Sequence, residues 1–546
     1  MNAYLLYEDR DWVNVEPYGD ASSIIQDLGL KTLFDAASRE VVQEEGRVKS
    51  IKQADPYLAE TMRRVMMVPL QSREEIEYRQ EILQDCLTRE AFTCELYDVA
   101  TRMMAQWDKL GRRTADKTGS RSPSAILMED IQLIRLFADT LSSVKKLFEE
   151  HRERFSSRGL LSFYERLCEE FSEEVEQSLY QILEDVSFYV GGDEEEKGQN
   201  RVRRPKIVLE CGIGEGLKFS SVQLEQVTAE AKKFYNPNGA IAKLQEYRNK
   251  FVPDSVQLQK NTELRDQAYK LEYQVVRYVV SCCNPFVASF GPFFEQLRLQ
   301  AAFYRGAVNL KQHMLRFGLG WCLPVAGDRK DLRFRELKEL VMCMEQRVNA
   351  VGNTCGIDDR LLLIVTGANQ GGKSTFLRSI GVAQVLMQSG LMVAAESYES
   401  GIFPRLFTHF TRREDSAMNS GRLDDELRRM NQIVEQIAER GGDGSLVLLN
   451  ESFATTTEKE GSVIAYDIIR ALTEAGVKVL TVTHLLSFAQ RVYDENGNRS
   501  GTEVEFLCAE RLENGTRTFR MIQHAPEMTS FGLDLYDEIV GKRKGG

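Results

Sequence analysis

The chain has 546 residues, of which 42% are hydrophobic, and this length exceeds what one compact core usually holds, so we expect two to four domains. A formal net charge of −12 at pH 7 argues against a protein whose main task is to coat nucleic acid. The ten cysteines include no C-x-x-C pair, which favours a reducing cytoplasm. The five histidines do not lie at zinc-ligand spacing, which argues against a dedicated metal site.

The N-terminus is polar and acidic, with no pattern of a targeting segment. Glu8, Asp9, Asp11 and Glu16 lie where a signal peptide would need a basic and then an apolar stretch. The most apolar region, residues 278–294, contains two prolines and is shorter than a membrane span. We therefore expect a cytoplasmic protein that does not contact a membrane.

Residues 49–330 are rich in charge and carry apolar residues at helical spacing, which predicts an all-α core or lever domain after an N-terminal segment of residues 1–48. Near residues 206–220, two short strand patterns flank Gly212-Ile213-Gly214-Glu215-Gly216. A dinucleotide loop would need a different third glycine and a following helix. We interpret this region as a small hairpin insertion.

Two basic stretches within the predicted helical domain are candidates for contact with DNA. They comprise Arg112, Arg113, Lys117 and Arg121 in the first, and Arg201, Arg203, Arg204 and Lys206 in the second. Both are more typical of solvated loops than of a DNA-binding surface, and the overall negative charge opposes DNA binding except at such local patches.

Apolar strand patterns alternate with helical ones over residues 331–546, which predicts an α/β domain with a largely parallel sheet. The predicted strands are residues 361–366, 392–395, 446–449 and 477–483. Together with the upstream region, this indicates a multidomain protein in which the all-α domain precedes the α/β domain.

A phosphate-binding loop follows the first of these strands. The sequence fits G-x-x-x-x-G-K-[ST], in which backbone N–H groups surround the phosphates of a nucleotide and a helix begins directly after the loop. A glycine turn that fits by chance would have no such strand and helix on either side. We predict that ATP binds to Gly367, Ala368, Asn369, Gln370, Gly371, Gly372, Lys373, Ser374 and Thr375.

The strands that follow provide candidate catalytic groups. In P-loop enzymes Lys373 would contact the β- and γ-phosphates and Ser374 would coordinate Mg²⁺. Residues 445–451 form an apolar strand that ends in Asn450 on the metal side and Glu451, which we expect to activate water. His484 ends the next strand and can reach the γ-phosphate, although a histidine at a strand end can also serve as a cap or core residue.

The ordered set of these motifs resembles the MutS family of DNA mismatch-repair ATPases. Residues 367–375 match the family's Gly-Pro-Asn-Met-Gly-Gly-Lys-Ser-Thr except at Ala368 and Gln370. Residues 446–451 with Thr456 and Gly461, the pair Thr483-His484, and Ser530-Phe531-Gly532-Leu533 resemble three further family motifs. The likeness extends over about residues 51–539 and implies an ABC-type ATPase domain that uses ATP and Mg²⁺, acts as a homodimer and contacts DNA.

Two departures from the family pattern bear on activity. Asn450 stands where the family has Asp, so the site loses a negative charge near Mg²⁺, and we expect weaker use of Mg²⁺ and slow hydrolysis. Ser420 and Gly421 fit the family segment that faces the nucleotide of the partner subunit, but Leu423-Asp424 does not fit the rest of that segment. Residues 416–430 are equally consistent with an amphipathic acidic helix.

The predicted helical core begins within about the first fifty residues, so we expect no mismatch-reading domain before it. Three functions are compatible with the sequence. The first is a nucleotide-gated ATPase that acts on unusual DNA structures in mismatch repair or recombination. The second is an ATP-binding switch with negligible turnover that recruits protein partners. The third is a cassette ATPase unrelated to nucleic acid, which the full motif order and the helical core disfavour.

Overall fold

A computed structural model describes residues 2–10, 12, 16–44, 47–115, 123–187, 201–213, 219–233, 262–328, 330–411, 422–496, 504–512 and 515–526. Ser420, Gly421, Lys117, Arg121 and the motif of residues 530–533 lie outside these ranges. Among the described helices, none has the combined length and hydropathy that a bilayer span requires.

Helices account for much of the described chain. They are α1 (Ala21–Leu28), α2 (Lys31–Ala37), α3 (Pro56–Met66), α4 (Arg73–Thr88), α5 (Glu90–Ala115), α6 (Pro123–His151), a 3-10 turn (Arg152–Arg154), α7 (Arg158–Glu170), α8 (Glu173–Ser187), α9 (Thr262–Arg316), α10 (Leu340–Gln346), α11 (Lys373–Gln388), α12 (Arg422–Arg440), α13 (Glu458–Glu474) and α14 (Leu486–Asn496).

The strands within the described ranges fall into four sheets. They are β1 (Val41–Glu44), β2 (Arg47–Ile51), β3 (Arg201–Ile213), β4 (Phe219–Lys233), β5 (Val325–Ala326), β6 (Leu332–Leu337), β7 (Asn353–Gly356), β8 (Leu362–Thr366), β9 (Ser397–Ser400), β10 (Arg405–Phe410), β11 (Ser445–Asn450), β12 (Lys478–Val482), β13 (Val504–Arg511) and β14 (Arg517–Gln523). Two of the sheets are the antiparallel pairs β1-β2 and β3-β4, and a four-stranded sheet has the order β5-β9-β6-β7.

The chain forms two compact units. The first comprises Met1–Ala3, Glu95–Arg154 and Ser162–Arg298, and its core is built by apolar residues at helical spacing on α6, α8 and α9. In this core the rings of Phe137 and Phe290 stack with their centroids 3.6 Å apart. Helical spacing in the sequence thus predicts the helices of this unit. Strands β3 and β4 lie where the hairpin insertion is expected, but both are longer than the two short strands expected there.

The second unit comprises Tyr4–Cys94, Phe155–Leu161 and Leu299–Gly546. It contains a six-stranded sheet with the order β10-β11-β12-β8-β13-β14, in which all neighbours are parallel except β13 and β14. Strands β8 and β12 are buried along their whole length. The apolar run at the start of β8 predicts this burial, whereas β12 also buries Lys478 and Thr481. The protein is therefore helix-rich with mixed α/β sheets, and the domain boundaries expected from the sequence stay predictions.

The prediction of a strand at residues 392–395 is wrong. These residues are buried, but their only strand-like pairing among described residues is a single bridge between Val393 and Cys322. A short apolar run is equally suited to a buried connection, and periodicity over four residues cannot separate the two.

A buried arginine ties the end of α11 to other elements of the second unit. The Arg79 side chain on α4 is fully buried and donates from Nε and Nη2 to the carbonyl oxygen of Leu6 and from Nη1 to that of Ser389. Ser389 caps the carboxyl end of α11. The guanidinium therefore satisfies backbone acceptors that burial would otherwise leave unpaired.

Candidate functional site

The candidate site lies at the carboxyl ends of three adjacent parallel strands. Strand β12 pairs with β11 on one side and with β8 on the other, so the residues that follow these strands meet at one edge of the sheet. The phosphate-binding loop follows β8, Glu451 follows β11, and His484 follows β12 by two residues. Ligands in parallel α/β sheets bind at this edge, where loops and helix N-termini converge.

Glycines fix the path of the loop between β8 and α11. Gly367 has φ 108° and Gly372 has φ 89°, both in the region that favours glycine. A Cβ atom on Gly367 would lie 2.8 Å from the backbone nitrogen of Ala509, so the loop also needs glycine here for lack of space. Within the described residues, no side chain caps the N-terminus of α11, so its first N–H groups are available to an anion.

Lys373 is the first residue of α11 and is only 4% exposed. Its Nζ donates to the carbonyl oxygens of Gly367 at 2.9 Å and Ala368 at 3.0 Å, so the ammonium lies folded into the loop. Burial lowers the pKa of the Lys373 ammonium, and the nearby Glu451 carboxylate acts in the opposite direction. The lysine therefore lies at the centre of the site with its charge close to where the loop would hold phosphates.

Ser374 and Asn450 are in direct contact. The Ser374 hydroxyl donates to Oδ1 of Asn450 over 2.8 Å, which joins the start of α11 to the end of β11. This is the pair of residues for which the sequence predicts a position beside Mg²⁺. The amide oxygen of Asn450 takes the position of one carboxylate oxygen, but it brings no full negative charge.

Glu451 and His484 form the second contact pair of the site. Nε2 of His484 lies 2.7 Å from Oε1 of Glu451, and the hydrogen bond from His484 lowers the pKa of the Glu451 carboxyl below its usual value. Each side chain is partly exposed, with relative exposures of 27% for His484 and 34% for Glu451. The carboxylate is thus ionised, oriented and open to water, as a general base requires.

A cavity of about 490 Å³ adjoins the phosphate-binding loop, within the usual volume of small-molecule sites. Its lining includes Gln370, Lys373, Ser374, Glu451 and Phe519 on β14. Phe519 is 47% exposed and has φ 60°, a conformation that costs energy for a bulky residue. An exposed aromatic face beside the loop can stack on a nucleobase.

No sequence pattern indicates Phe519 as a site residue, and residues 351–355, shortly before β8, contain no aromatic side chain. In the structure Asn353 in that segment contacts β14 instead, since its side chain donates to the carbonyl oxygen of Phe519 and accepts from the N–H of Met521. The aromatic ring therefore comes from the antiparallel strand at the sheet edge, which local sequence gives no reason to search.

The donor groups present fit ATP and Mg²⁺. The uncapped N-terminus of α11 and the Lys373 ammonium suit phosphate oxygens, and the Ser374 hydroxyl and Asn450 amide oxygen are hard oxygen ligands of the kind that Mg²⁺ and its waters prefer. Glu451 and His484 lie beside this group at the open side of the sheet edge. The sheet edge thus combines an anion-binding loop, a candidate cation contact and a candidate base.

Comparison with protein families gives two matches. The model described as MutS2 N-terminal domain matches residues 71–317, and the model described as MutS domain V matches residues 363–539. The second match contains the phosphate-binding loop, Asn450-Glu451 and His484. Together the two matches cover well over half of the chain, and they follow each other along the sequence as the resemblance to MutS implies.

Curated relatives agree with these matches. Endonuclease MutS2 of Thermus thermophilus is 31% identical over 32% of this chain and 22% of its own length, and endonuclease MutS2 of Pelotomaculum thermopropionicum is 36% identical over 35% and 22%. DNA mismatch repair protein MutS of Oleidesulfovibrio alaskensis is 26% identical over 58% of this chain and 32% of its own length. The matched regions thus span between 22% and 32% of these relatives. From the two family matches and these relatives, the chain belongs to the MutS family.

Proposed function

We propose that this protein binds ATP with Mg²⁺ at the cavity beside Lys373 and hydrolyses it slowly. One observation carries the proposal: at one sheet edge the Ser374 hydroxyl bonds to Asn450 while His484 bonds to the adjacent Glu451, and both pairs border the same phosphate-binding loop. A loop that bound phosphate without chemistry would have no need of an ionised, oriented carboxylate beside it.

Each residue has a role that its contacts support. Lys373 leaves its carbonyl partners to neutralise phosphate oxygens, and the N–H groups at the start of α11 bind the same anion. Glu451 takes a proton from the attacking water, while His484 holds the carboxylate in place. Phe519 stacks on the base of the nucleotide.

Mg²⁺, when bound, supplies positive charge to the phosphate oxygens. Ser374 provides its hydroxyl, and Asn450 holds that hydroxyl through its amide oxygen. Because Asn450 contributes no negative charge, the attraction for the cation is weaker than an Asp in the same place would give. Slow turnover with ATP binding retained follows from this difference.

We assign the function at the level of the whole molecule from the family. A helical core or lever domain precedes an ABC-type ATPase domain, and two protomers complete the nucleotide site. In this arrangement Ser420 and Gly421 of one protomer face the nucleotide of the other, and binding of ATP changes the grip of the helical domains on mismatched, branched or damaged DNA. The relatives named DNA mismatch repair protein MutS and endonuclease MutS2 support DNA as the partner.

A second function differs from the first in turnover. Asn450 and the net charge of −12 favour an ATP-binding switch that hardly hydrolyses ATP and recruits proteins instead of DNA. Both functions use the same nucleotide site, so the rate of ATP turnover distinguishes them and ATP binding does not.

The test measures ATP turnover with and without branched, mismatched and single-stranded DNA, in the unmodified protein and in Glu451→Gln. Turnover that rises with DNA and is lost in Glu451→Gln supports the DNA-dependent ATPase. Tight ATP binding with flat, negligible turnover supports the switch. Absence of ATP binding contradicts both functions.

A further inference from the structure

The loop that carries Glu451 has an unfavourable backbone conformation. Glu451 has φ 56° and Phe453 has φ 65°, so two residues with large side chains occupy the left-handed region within three positions. Each such residue costs free energy and persists only where surrounding contacts hold it. The direction of the Glu451 carboxylate therefore depends on whatever fixes residues 451–453.

Strand β10 provides part of this support. Oγ1 of Thr411, directly after β10, donates to the carbonyl oxygens of Asn450 at 3.2 Å and Glu451 at 2.9 Å. Nδ1 of His409 lies 2.7 Å from Oγ of Ser452, and the Ser452 hydroxyl also lies 3.0 Å from the His409 carbonyl oxygen. The first two residues of the loop are thus held from the neighbouring strand.

Glu426 on α12 holds the third residue. Its Oε2 accepts from the backbone N–H of Phe453 at 3.1 Å and from the hydroxyl of Thr455 at 2.9 Å. Glu426 is 6% exposed, so a carboxylate has been taken out of water to make these two contacts. The fully buried His409 lies 3.1 Å from the carbonyl oxygen of Glu426 through Nε2, which must donate because a carbonyl only accepts.

These contacts join α12 to the candidate base through one buried group. The carbonyl oxygen of Glu426 accepts from His409, which holds the loop from β10. The carboxylate of Glu426 accepts from the N–H of Phe453 in the loop itself. Glu426 is the fifth residue of α12, which begins at Arg422, so its contacts connect the N-terminal part of this helix to residues 451–453. A buried charge-assisted hydrogen bond to a strained backbone is a rigid link, since losing it leaves both partners unsatisfied.

We propose that Glu426 is a positioning residue that sets the direction of the Glu451 carboxylate and couples it to the N-terminal part of α12. The proposal rests on the proposed function, in which Glu451 activates water. In this proposal Glu426 contacts neither the nucleotide nor the attacking water. It controls hydrolysis but not ATP binding, since no Glu426 contact described above involves the phosphate-binding loop.

The chemistry of the contacts selects the variants. Glu426→Leu removes the acceptor and leaves the N–H of Phe453 without its partner. Glu426→Gln keeps an amide oxygen that can accept both bonds, so it should restore the position of the loop. Glu435→Leu is the matched control, because Glu435 is an exposed residue of the same helix whose described contact is with Asn431.

The experiment compares ATP turnover at saturating nucleotide with the dissociation constant for ATP in these variants. We expect Glu426→Leu to lower turnover roughly 10-fold to 100-fold, as a misplaced catalytic group does, with the dissociation constant unchanged within about threefold. Glu426→Gln and Glu435→Leu should keep the turnover of the unmodified protein. Equal turnover in Glu426→Leu, or an equal loss in Glu426→Gln, overturns the proposal.

Hydrogen exchange of the peptide covering residues 446–457 tests the same link without turnover. Glu426→Leu should exchange faster there than the unmodified protein, while Glu426→Gln and Glu435→Leu should not. If the unmodified protein shows no hydrolysis, the proposed enzymatic function fails, and the exchange result alone decides on Glu426. Unchanged exchange in Glu426→Leu refutes the positioning role.

Discussion

At the scale of single residues, we propose that Asn450 weakens the attraction of the site for a divalent cation. Its amide oxygen accepts from Ser374, so the geometry that an Asp would adopt is already present and only the charge is missing. We predict that Asn450→Asp raises Mg²⁺-dependent ATP turnover roughly 10-fold, the scale on which groups behind a metal ligand act. Asn431→Asp, an exposed site on α12, adds the same charge elsewhere and should leave turnover unchanged. Equal turnover in Asn450→Asp and the unmodified protein would refute this account of the position.

Lys478 makes stability depend on pH. Its side chain is 2% exposed at the start of β12, and burial lowers the pKa of its ammonium to about 8, although Asp331 and Asp358 partly oppose the shift. Between about pH 8 and 10.5 the unfolded chain holds a proton at this lysine that the folded chain has lost, so stability rises with pH across that interval. The expected contribution is on the order of 3 kcal/mol.

The measurement is the free energy of unfolding of the unmodified protein and of Lys478→Met over this pH range. Other groups titrate there too, but they are common to both proteins, so the difference isolates Lys478. The account requires the advantage of the methionine variant to shrink as pH rises from 8 to 10.5. A constant difference would show that Lys478 keeps its usual pKa.

Phe519 tests whether the cavity holds a nucleoside. Its exposed ring lines the cavity, and loss of a stacking face costs roughly 1 to 2 kcal/mol, or about tenfold in affinity. We therefore predict that Phe519→Ala raises the dissociation constant for ATP about tenfold, with a smaller effect on inorganic triphosphate, which has no base. Ile522→Ala, an exposed apolar residue on the same strand, is the control. Equal weakening of ATP and triphosphate would place the ring outside the nucleoside site.

At the scale of elements, Arg79 joins α4 to the N-terminal segment and to the end of α11. Removal of its guanidinium leaves the buried carbonyl oxygens of Leu6 and Ser389 without donors. We predict that Arg79→Met lowers the free energy of unfolding by about 3 kcal/mol, measured by urea titration. Arg73→Met on the same helix removes an exposed pair with Glu77 and should have no measurable effect. An unchanged free energy of unfolding in Arg79→Met would contradict this prediction and mean that water replaces the lost donor.

Elements are predictable from this sequence where local chemistry decides them. Residues 361–375 contain a long apolar run, then glycines, then a helical pattern, so β8, the loop and α11 follow directly from composition and spacing. Residues 392–395 are apolar for a different reason, since they line a buried connection, and the pattern cannot reveal this.

The site is only partly predictable for a related reason. Motif spacing predicts Lys373, Ser374, Asn450, Glu451 and His484 as site residues because each lies at or after the carboxyl end of a strand of the same parallel sheet. Phe519 lines the cavity from β14, and Glu426 on α12 contacts the loop that carries Glu451, in both cases through tertiary packing. Their local sequences look like an ordinary edge strand and an acidic amphipathic helix. No local pattern distinguishes a carboxylate that binds the backbone of a distant loop from one that faces solvent.

At the scale of the whole molecule, the proposed site needs two protomers. If ATP holds two ATPase domains together, blocking hydrolysis should trap the closed pair. We predict that Glu451→Gln with ATP and Mg²⁺ sediments as a dimer at concentrations where Lys373→Ala with ATP does not. A monomer in both cases, at nucleotide concentrations that saturate the site, contradicts the composite site and with it the roles of Ser420 and Gly421.

The most direct test of the account is calorimetric titration of ATP with Mg²⁺ into the unmodified protein and into Lys373→Ala. We predict one nucleotide bound per chain in the unmodified protein, and a dissociation constant at least about 100-fold higher in Lys373→Ala, because a buried ammonium would be lost from the phosphate site. Lys31→Ala, which removes an exposed lysine at the start of α2, should bind as the unmodified protein does. No heat of binding in the unmodified protein, or the same affinity in Lys373→Ala, would contradict the account.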